Sequence, residues 1–219
     1  MADGSNQMQL TLMRTSATGT PRWSPDGKQI AFDSTLQGHS DIFVISASGG
    51  TPRRLTSGPY DSETPAWSHD GRWIYFTSVR RGGFQIWKLA AEGGNPIQVV
   101  ATGGQWPAES WEGRFLYYGR NGTIWKRDLQ DGIETRVTDA SPVGSDNRLC
   151  GKDICMVDRS SGHFVRYDTT AKTKHLATVD LGSAANGDFG IDVSPDGRWL
   201  VYSRADSIQS DIMLVENFH

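Results

Sequence analysis

Three carboxylates, Asp61, Glu109 and Asp192, most invite a chemical reading of this chain. Two carboxyl groups held about 5 to 9 Å apart can cleave a glycosidic bond, one as acid and the other as base or nucleophile. No further catalytic signature accompanies them. A serine hydrolase of the α/β type needs Gly-x-Ser-x-Gly, so that a strained turn exposes the nucleophile. That string is missing, and Ser183, in Leu181-Gly182-Ser183-Ala184-Ala185, reads as loop. The histidines His39, His69, His163, His175 and His219 form no His-Glu-x-x-His pattern, and Cys150 and Cys155 are not at zinc spacing. His69 reads as a solvated turn residue. The two cysteines flank one hairpin without being cross-strand partners, so two thiols are expected. Asp26, Asp70 and Asp196 stand beside glycines without the spacing of a calcium loop, which leaves side-chain capping of a turn. No metal or cofactor is expected, and the chain reads as non-catalytic.

The rest of the sequence must say what positions these residues. In 219 residues, 22 Lys and Arg stand against 25 Asp and Glu, a net charge of -3, which describes neither a nucleic-acid surface nor an acidic tail. No direct nucleic-acid contact is expected. The longest apolar runs are four residues, such as Ile42 to Ile45 and Trp73 to Phe76, where a membrane span needs about 20. No membrane insertion is expected, and residues 1–7 lack the apolar core of a secretory signal. The 25 Gly and 9 Pro fall at intervals between short β-branched and aromatic runs, which describes an all-β chain.

Those intervals are a repeat. Trp23-Ser24-Pro25-Asp26-Gly27-Lys28 recurs as Trp67-Ser68-His69-Asp70-Gly71-Arg72, as Glu109-Ser110-Trp111-Glu112-Gly113-Arg114 and as Val193-Ser194-Pro195-Asp196-Gly197-Arg198. Gly49-Gly50 returns as Gly93-Gly94, and Ile42 as Ile86 and Ile124. Each unit divides into four short strands joined by tight turns, in the first unit 20–23, 29–34, 41–46 and 52–56. Tandem four-stranded antiparallel sheets of this length predict a five-bladed β-propeller, a single domain over 1–219 with blades at about 18–56, 63–101, 105–138, 143–178 and 187–218. The fifth unit ends without a fourth strand, and the alternating stretch Met8 to Met13 is expected to complete it and close the ring.

The first two units, with Trp-Ser-Pro-Asp-Gly-Lys-Gln-Ile-Ala-Phe at 23–32, Gly38-His39-Ser40-Asp41-Ile42-Phe43-Val44 and Gly49-Gly50-Thr51-Pro52-Arg53-Arg54-Leu55-Thr56, resemble the WD40-like (PD40-type) repeat of TolB-like propellers. The likeness is partial in the third unit, weak in the fourth and good in the turn and strands of the fifth. It implies a bacterial propeller that binds proteins or peptides, part of a larger protein: periplasmic if TolB-like with its signal removed, cytoplasmic if it is the sensory propeller of a winged-helix regulator. The same repeats also stand beside prolyl-oligopeptidase-type peptidase domains.

Residues that break the repeat are the binding candidates. Arg22, Glu109, Arg148 and Asp192 put charges on innermost strands, where a charge must meet water, a partner charge or a ligand. Tyr60, Asp61 and Trp106 stand in or beside the loops entering those strands, and exposed aromatics are common anchors of binding surfaces. The expectation is a monomeric propeller engaging a protein or peptide at its face or channel; the alternative is a five-bladed carbohydrate-active enzyme.

Overall fold

The computed structural model describes residues 10, 11, 13, 17–36, 38–80, 82–138, 148–150, 153–158, 163–168, 173–180, 191–193, 199–205 and 210–216. From residue 148 on, side chains are described for 149, 153–155 and 165–168. The chain divides into two compact units, Met1–Tyr118 and Gly119–His219. All described elements are strands in antiparallel sheets.

The first sheet runs β1 (Thr18–Trp23), β2 (Gln29–Leu36), β3 (His39–Ser46) and β4 (Arg53–Arg54) in sequence order. The second repeats it with β5 (Ser62–Trp67), β6 (Trp73–Arg80), β7 (Gly83–Ala90) and β8 (Ile97–Val100). β9 (Gln105–Glu109), β10 (Phe115–Arg120), β11 (Thr123–Asp128) and β12 (Glu134–Arg136) form the third sheet, and the division into units falls inside β10. In the second unit β13 (Arg148–Cys150), β14 (Asp153–Asp158), β15 (His163–Asp168) and β16 (Thr173–Asp180) form a fourth sheet. β17 (Ile191–Val193), β18 (Trp199–Ala205) and β19 (Ser210–Glu216) form a sheet of three.

The apolar runs are continuous rather than alternating because the first sheet buries both faces. Ala31, Ile42 and Val44 point one way and pack with Ile74, Phe76 and Leu89 of the second sheet, joined by Leu55, Trp67 and Trp87. Ile30, Phe32, Phe43 and Ile45 point the other way, with the Phe32 and Phe43 rings stacked at 5.6 Å. Leu10 and Met13 cover this second cluster. The strand expected over Met8 to Met13 is therefore not seen at its described residues: Leu10, Thr11 and Met13 lie outside any strand, and apolar burial places two of them on the first sheet.

The repeated turn is held by its own side chains. Ser24 Oγ donates to Asp26 Oδ1 at 2.7 Å and accepts the Gln29 N–H at 2.9 Å, while Asp26 Oδ1 accepts the Lys28 N–H at 3.1 Å. Ser68, Asp70, Arg72 and Trp73 repeat all three bonds, at 2.6, 2.9 and 2.9 Å. The glycine that follows each Asp, Gly27 or Gly71, takes a φ of 69° or 71°, a region side chains disfavour. Asp26 and Asp70 are structural, as their place beside glycine implies, and Asp196 lies outside the described residues. Asp41, fully buried, is structural too, paired to Arg54 and accepting the Thr56 hydroxyl at 2.9 Å. Cys155, also fully buried, is disulfide-bonded, which corrects the expectation of two thiols; the Cys150 side chain lies outside the described residues.

Candidate functional site

The first strands of the first three sheets share a distortion. β1, β5 and β9 each carry one residue with a left-handed backbone, Thr20 (φ 42°), Thr64 (φ 53°) and Trp106 (φ 54°), and each stands before a proline, Pro21, Pro65 or Pro107. The ladder register shifts there, between Gly19 and Arg22 in β1 and between Glu63 and Ala66 in β5. Proline supplies no ladder donor and favours such bulges, while a side chain in this region costs about 1–2 kcal/mol. Bonds to the preceding sheet offset that cost. The Thr64 N–H donates to Asp33 Oδ2 at 2.9 Å and the Trp106 N–H to Thr77 Oγ1 at 3.2 Å. Thr20 Oγ1 also bonds Asp33, and the hydroxyls of Thr64 and Thr77 lie 2.7 Å apart.

These bulges lie at the end of the sheets where the loop into β5 meets the β6–β7 hairpin. Asp61 is anchored there by its backbone and its side chain. Its carbonyl accepts the Ser78 hydroxyl at 2.8 Å and the Val79 N–H at 3.2 Å. Its Oδ1 accepts the Ser40 N–H at 2.9 Å, with His39 Nδ1 at 3.7 Å. Tyr60, 42% exposed, holds its ring 5.2 Å from the Arg80 guanidinium, whose other neighbour is the Trp87 ring at 4.0 Å. Glu63, half-buried, has its pKa raised, first by burial and then by the charges of Asp33 and Asp61, with a Ser40 hydrogen bond opposing. Tyr60, Asp61 and Trp106 thus share one end of the sheets.

Arg22 and Glu109 stand at the other end. Arg22 pairs with Ala31 as Arg148 does with Cys155 and Asp192 with Val201, so the three occupy one repeated position on β1, β13 and β17. The side chains of Arg148 and Asp192 lie outside the described residues. The Arg22 carbonyl accepts the Trp67 indole N–H at 3.0 Å. Glu109 occupies the place that Trp23 and Trp67 hold in the first two units, and its Oε1 accepts the His69 N–H at 3.0 Å. It also bonds the Tyr75 hydroxyl, whose pKa is pushed up by burial first and then by Glu109. His69 is not merely a solvated turn residue: its ring packs on Trp111, centroids 4.4 Å apart. Asp61 precedes β5 and Glu109 ends β9, which separates them by roughly 20 Å along the strand direction, beyond the spacing of a glycosidase pair.

Asp33, Glu63 and Arg80 were not among the sequence candidates. The signal for the bulges was present as the repeated Thr20-Pro21, Thr64-Pro65 and Trp106-Pro107 pairs. Arg80 carries no such mark, since only folding brings it between Tyr60 and Trp87.

Residues 4–141 match the family model described as the TolB beta propeller domain, PD40. The chain belongs to the TolB β-propeller family. This TolB-type propeller superposes on the crystal structure of TolB from Acinetobacter baumannii with a TM-score of 0.80 at 23% identity, over 99% of this chain and 55% of that one. It is 50% identical over 38 residues to the Tol-Pal system protein TolB of Syntrophus aciditrophicus, 17% of this chain and 8% of the relative. It is 46% identical over 41 residues to the uncharacterized peptidase YuxL of Bacillus subtilis, 18% of this chain and 6% of the relative. The chain thus spans about half of the A. baumannii TolB structure, and its local matches cover under a tenth of the other two relatives. Every residue described above at the Tyr60 end lies inside the family match, and the whole of the fourth and last sheets lies beyond it.

Proposed function

We propose that this TolB-type propeller is a non-catalytic binding module of a larger bacterial protein, built as a five-bladed ring that engages a protein or peptide at the end carrying Tyr60, Asp61 and Trp106. The observation that carries this reading is the exposed Tyr60 ring, stacked on Arg80 beside the anchored Asp61. Aromatic and arginine side chains held in place beside polar groups are the usual energetic centres of recognition surfaces. Of the three carboxylates that could serve catalysis, Glu109 is committed to the His69 N–H and the Tyr75 hydroxyl. The similarity to TolB of the Tol-Pal system favours a protein partner. The test combines partner capture with an activity screen. Tyr60→Ala with Asp61→Ala and Trp106→Ala should abolish capture in a variant that still unfolds cooperatively, its melting temperature lowered by the loss of the Ser40 bond to Asp61, while chromogenic glycosides and peptide esters should give no turnover on the unaltered chain. Hydrolysis that disappears in Glu109→Gln or Asp192→Asn would overturn the reading.

A second reading rests on the match to YuxL, described as a peptidase: the chain would be the propeller part of such an enzyme. The sequence contains no Gly-x-Ser-x-Gly, so the nucleophile would come from outside it. Partner capture by the isolated chain separates the two, since a propeller serving its own peptidase domain has no need of another protein.

A further inference from the structure

We propose that the Arg80 guanidinium, clamped between Tyr60 and Trp87, is the anchor for an acidic side chain of an extended peptide. The proposal rests on the binding reading above and names the chemistry of its partner. Other described arginines in comparable settings have carboxylate partners: Arg54 pairs with Asp41, Arg120 and Arg127 with Glu134, and Arg166 with Asp153. Arg80 has none among the described residues. Its Nε donates to Ser78 Oγ at 3.2 Å, and among the described residues its other polar or ring neighbours are Tyr60 and Trp87. The influences on its pKa tell the same story, burial lowering it and Tyr60 alone acting in the other direction, with no carboxylate among them.

A guanidinium stacked on aromatic faces keeps its plane fixed and offers its terminal N–H groups edge-on, the geometry in which Arg takes a carboxylate through two parallel hydrogen bonds. The surroundings suit a peptide. Tyr60 is exposed beside the guanidinium, and the cross-strand pair Val79 and Phe84, 37% and 44% exposed, borders the same hairpin. Asp33, Asp61 and Glu63 make the inner side of this end negative, with Asp33 and Asp61 already bonded to the Thr64 and Ser40 N–H groups. An acidic residue is therefore welcome at Arg80 and repelled further in, which fixes the register of the bound segment.

The test is a display library of random linear heptapeptides selected on the full chain and on Arg80→Met. Peptides selected by the unaltered chain should be enriched in Asp or Glu at one position, and that enrichment should vanish with Arg80→Met. A synthetic peptide from the first selection should bind Arg80→Met about 10-fold or more weakly, and Arg80→Lys, which keeps the charge without the planar fork, with an intermediate loss. Changing the glutamate of that peptide to glutamine should cost the same factor on the unaltered chain and nothing further on Arg80→Met, an arm that stands even if the variant folds poorly. Binders without acidic preference, or a preference that survives Arg80→Met, would overturn the anchor and leave the binding reading in place. No binders at all would overturn the binding reading itself, and the anchor with it.

Discussion

The Trp67 indole N–H reaches 45 residues back along the chain to donate to the Arg22 carbonyl at 3.0 Å. Its equivalent in the first unit, Trp23, is 57% exposed. One repeated residue therefore does two different jobs. Trp67→Ala should cost about 2–4 kcal/mol, combining lost burial against the first sheet with the lost bond to the Arg22 carbonyl. Trp67→Phe should isolate the hydrogen bond at about 0.5–1.5 kcal/mol, and Trp23→Ala should stay within about 1 kcal/mol. Urea unfolding of the three variants measures this; equal losses at Trp23 and Trp67 would contradict it.

Glu109 carries the same connection by other chemistry. Glu109→Ala leaves the His69 N–H and the Tyr75 hydroxyl without their acceptor, at an expected cost of about 1–3 kcal/mol. Calorimetry reads the loss, and an unchanged melting temperature would show that the carboxylate is not structural.

Two carboxylates should tilt the pH dependence of stability in opposite directions. Glu63 has a raised pKa, so the native state holds its proton more tightly than the unfolded chain; its contribution is full below the ordinary value of 4.5 and is lost as pH rises through the folded value. Asp70 is lowered to about 2, chiefly by the Ser68 hydroxyl and then by the Arg72 N–H and guanidinium, so its contribution is present above 3.8 and is lost as pH falls towards 2. Glu63→Gln should therefore gain melting temperature over the unaltered chain as pH rises from 4 to 7. Asp70→Asn should lose its disadvantage between pH 4 and 2. Parallel pH profiles for all three proteins would refute both assignments.

Gly104 marks a close approach. A methyl group there would stand 2.9 Å from Tyr118 Cδ2 and 3.0 Å from Ile86 Cδ1, both in fully buried side chains. Gly104→Ala should destabilise by about 1–3 kcal/mol through overpacking, although alanine suits its backbone. A neutral or stabilising effect in a denaturant melt would mean that the junction yields.

The repeat was legible because the first unit's turn is closed by its own side chains. Ser24, Asp26 and Gly27 bond only to neighbours within five residues, so their spacing alone announces the hairpin, and each recurrence announces another. The third and fourth sheets are more divergent in sequence but keep the same strand order. Met8 to Met13 was harder to place, since an alternating apolar stretch carries no sign of which surface will cover it; at Leu10 and Met13 that surface is the first sheet.

What the sequence determined by itself was therefore the short-range part: strands, hairpins, the period that joins them, and the turn aspartates as caps. Tertiary structure decided the roles of the charged residues. Glu109 and Asp61 looked like members of one set until the strands placed them at opposite ends of the sheets. Arg80 carries no mark in the sequence, and only the fold brings it between Tyr60, 20 residues earlier, and Trp87, seven later. A turn is settled by neighbouring residues. Whether a charge meets a partner, a ring or water depends on residues brought together only when one sheet packs on the next.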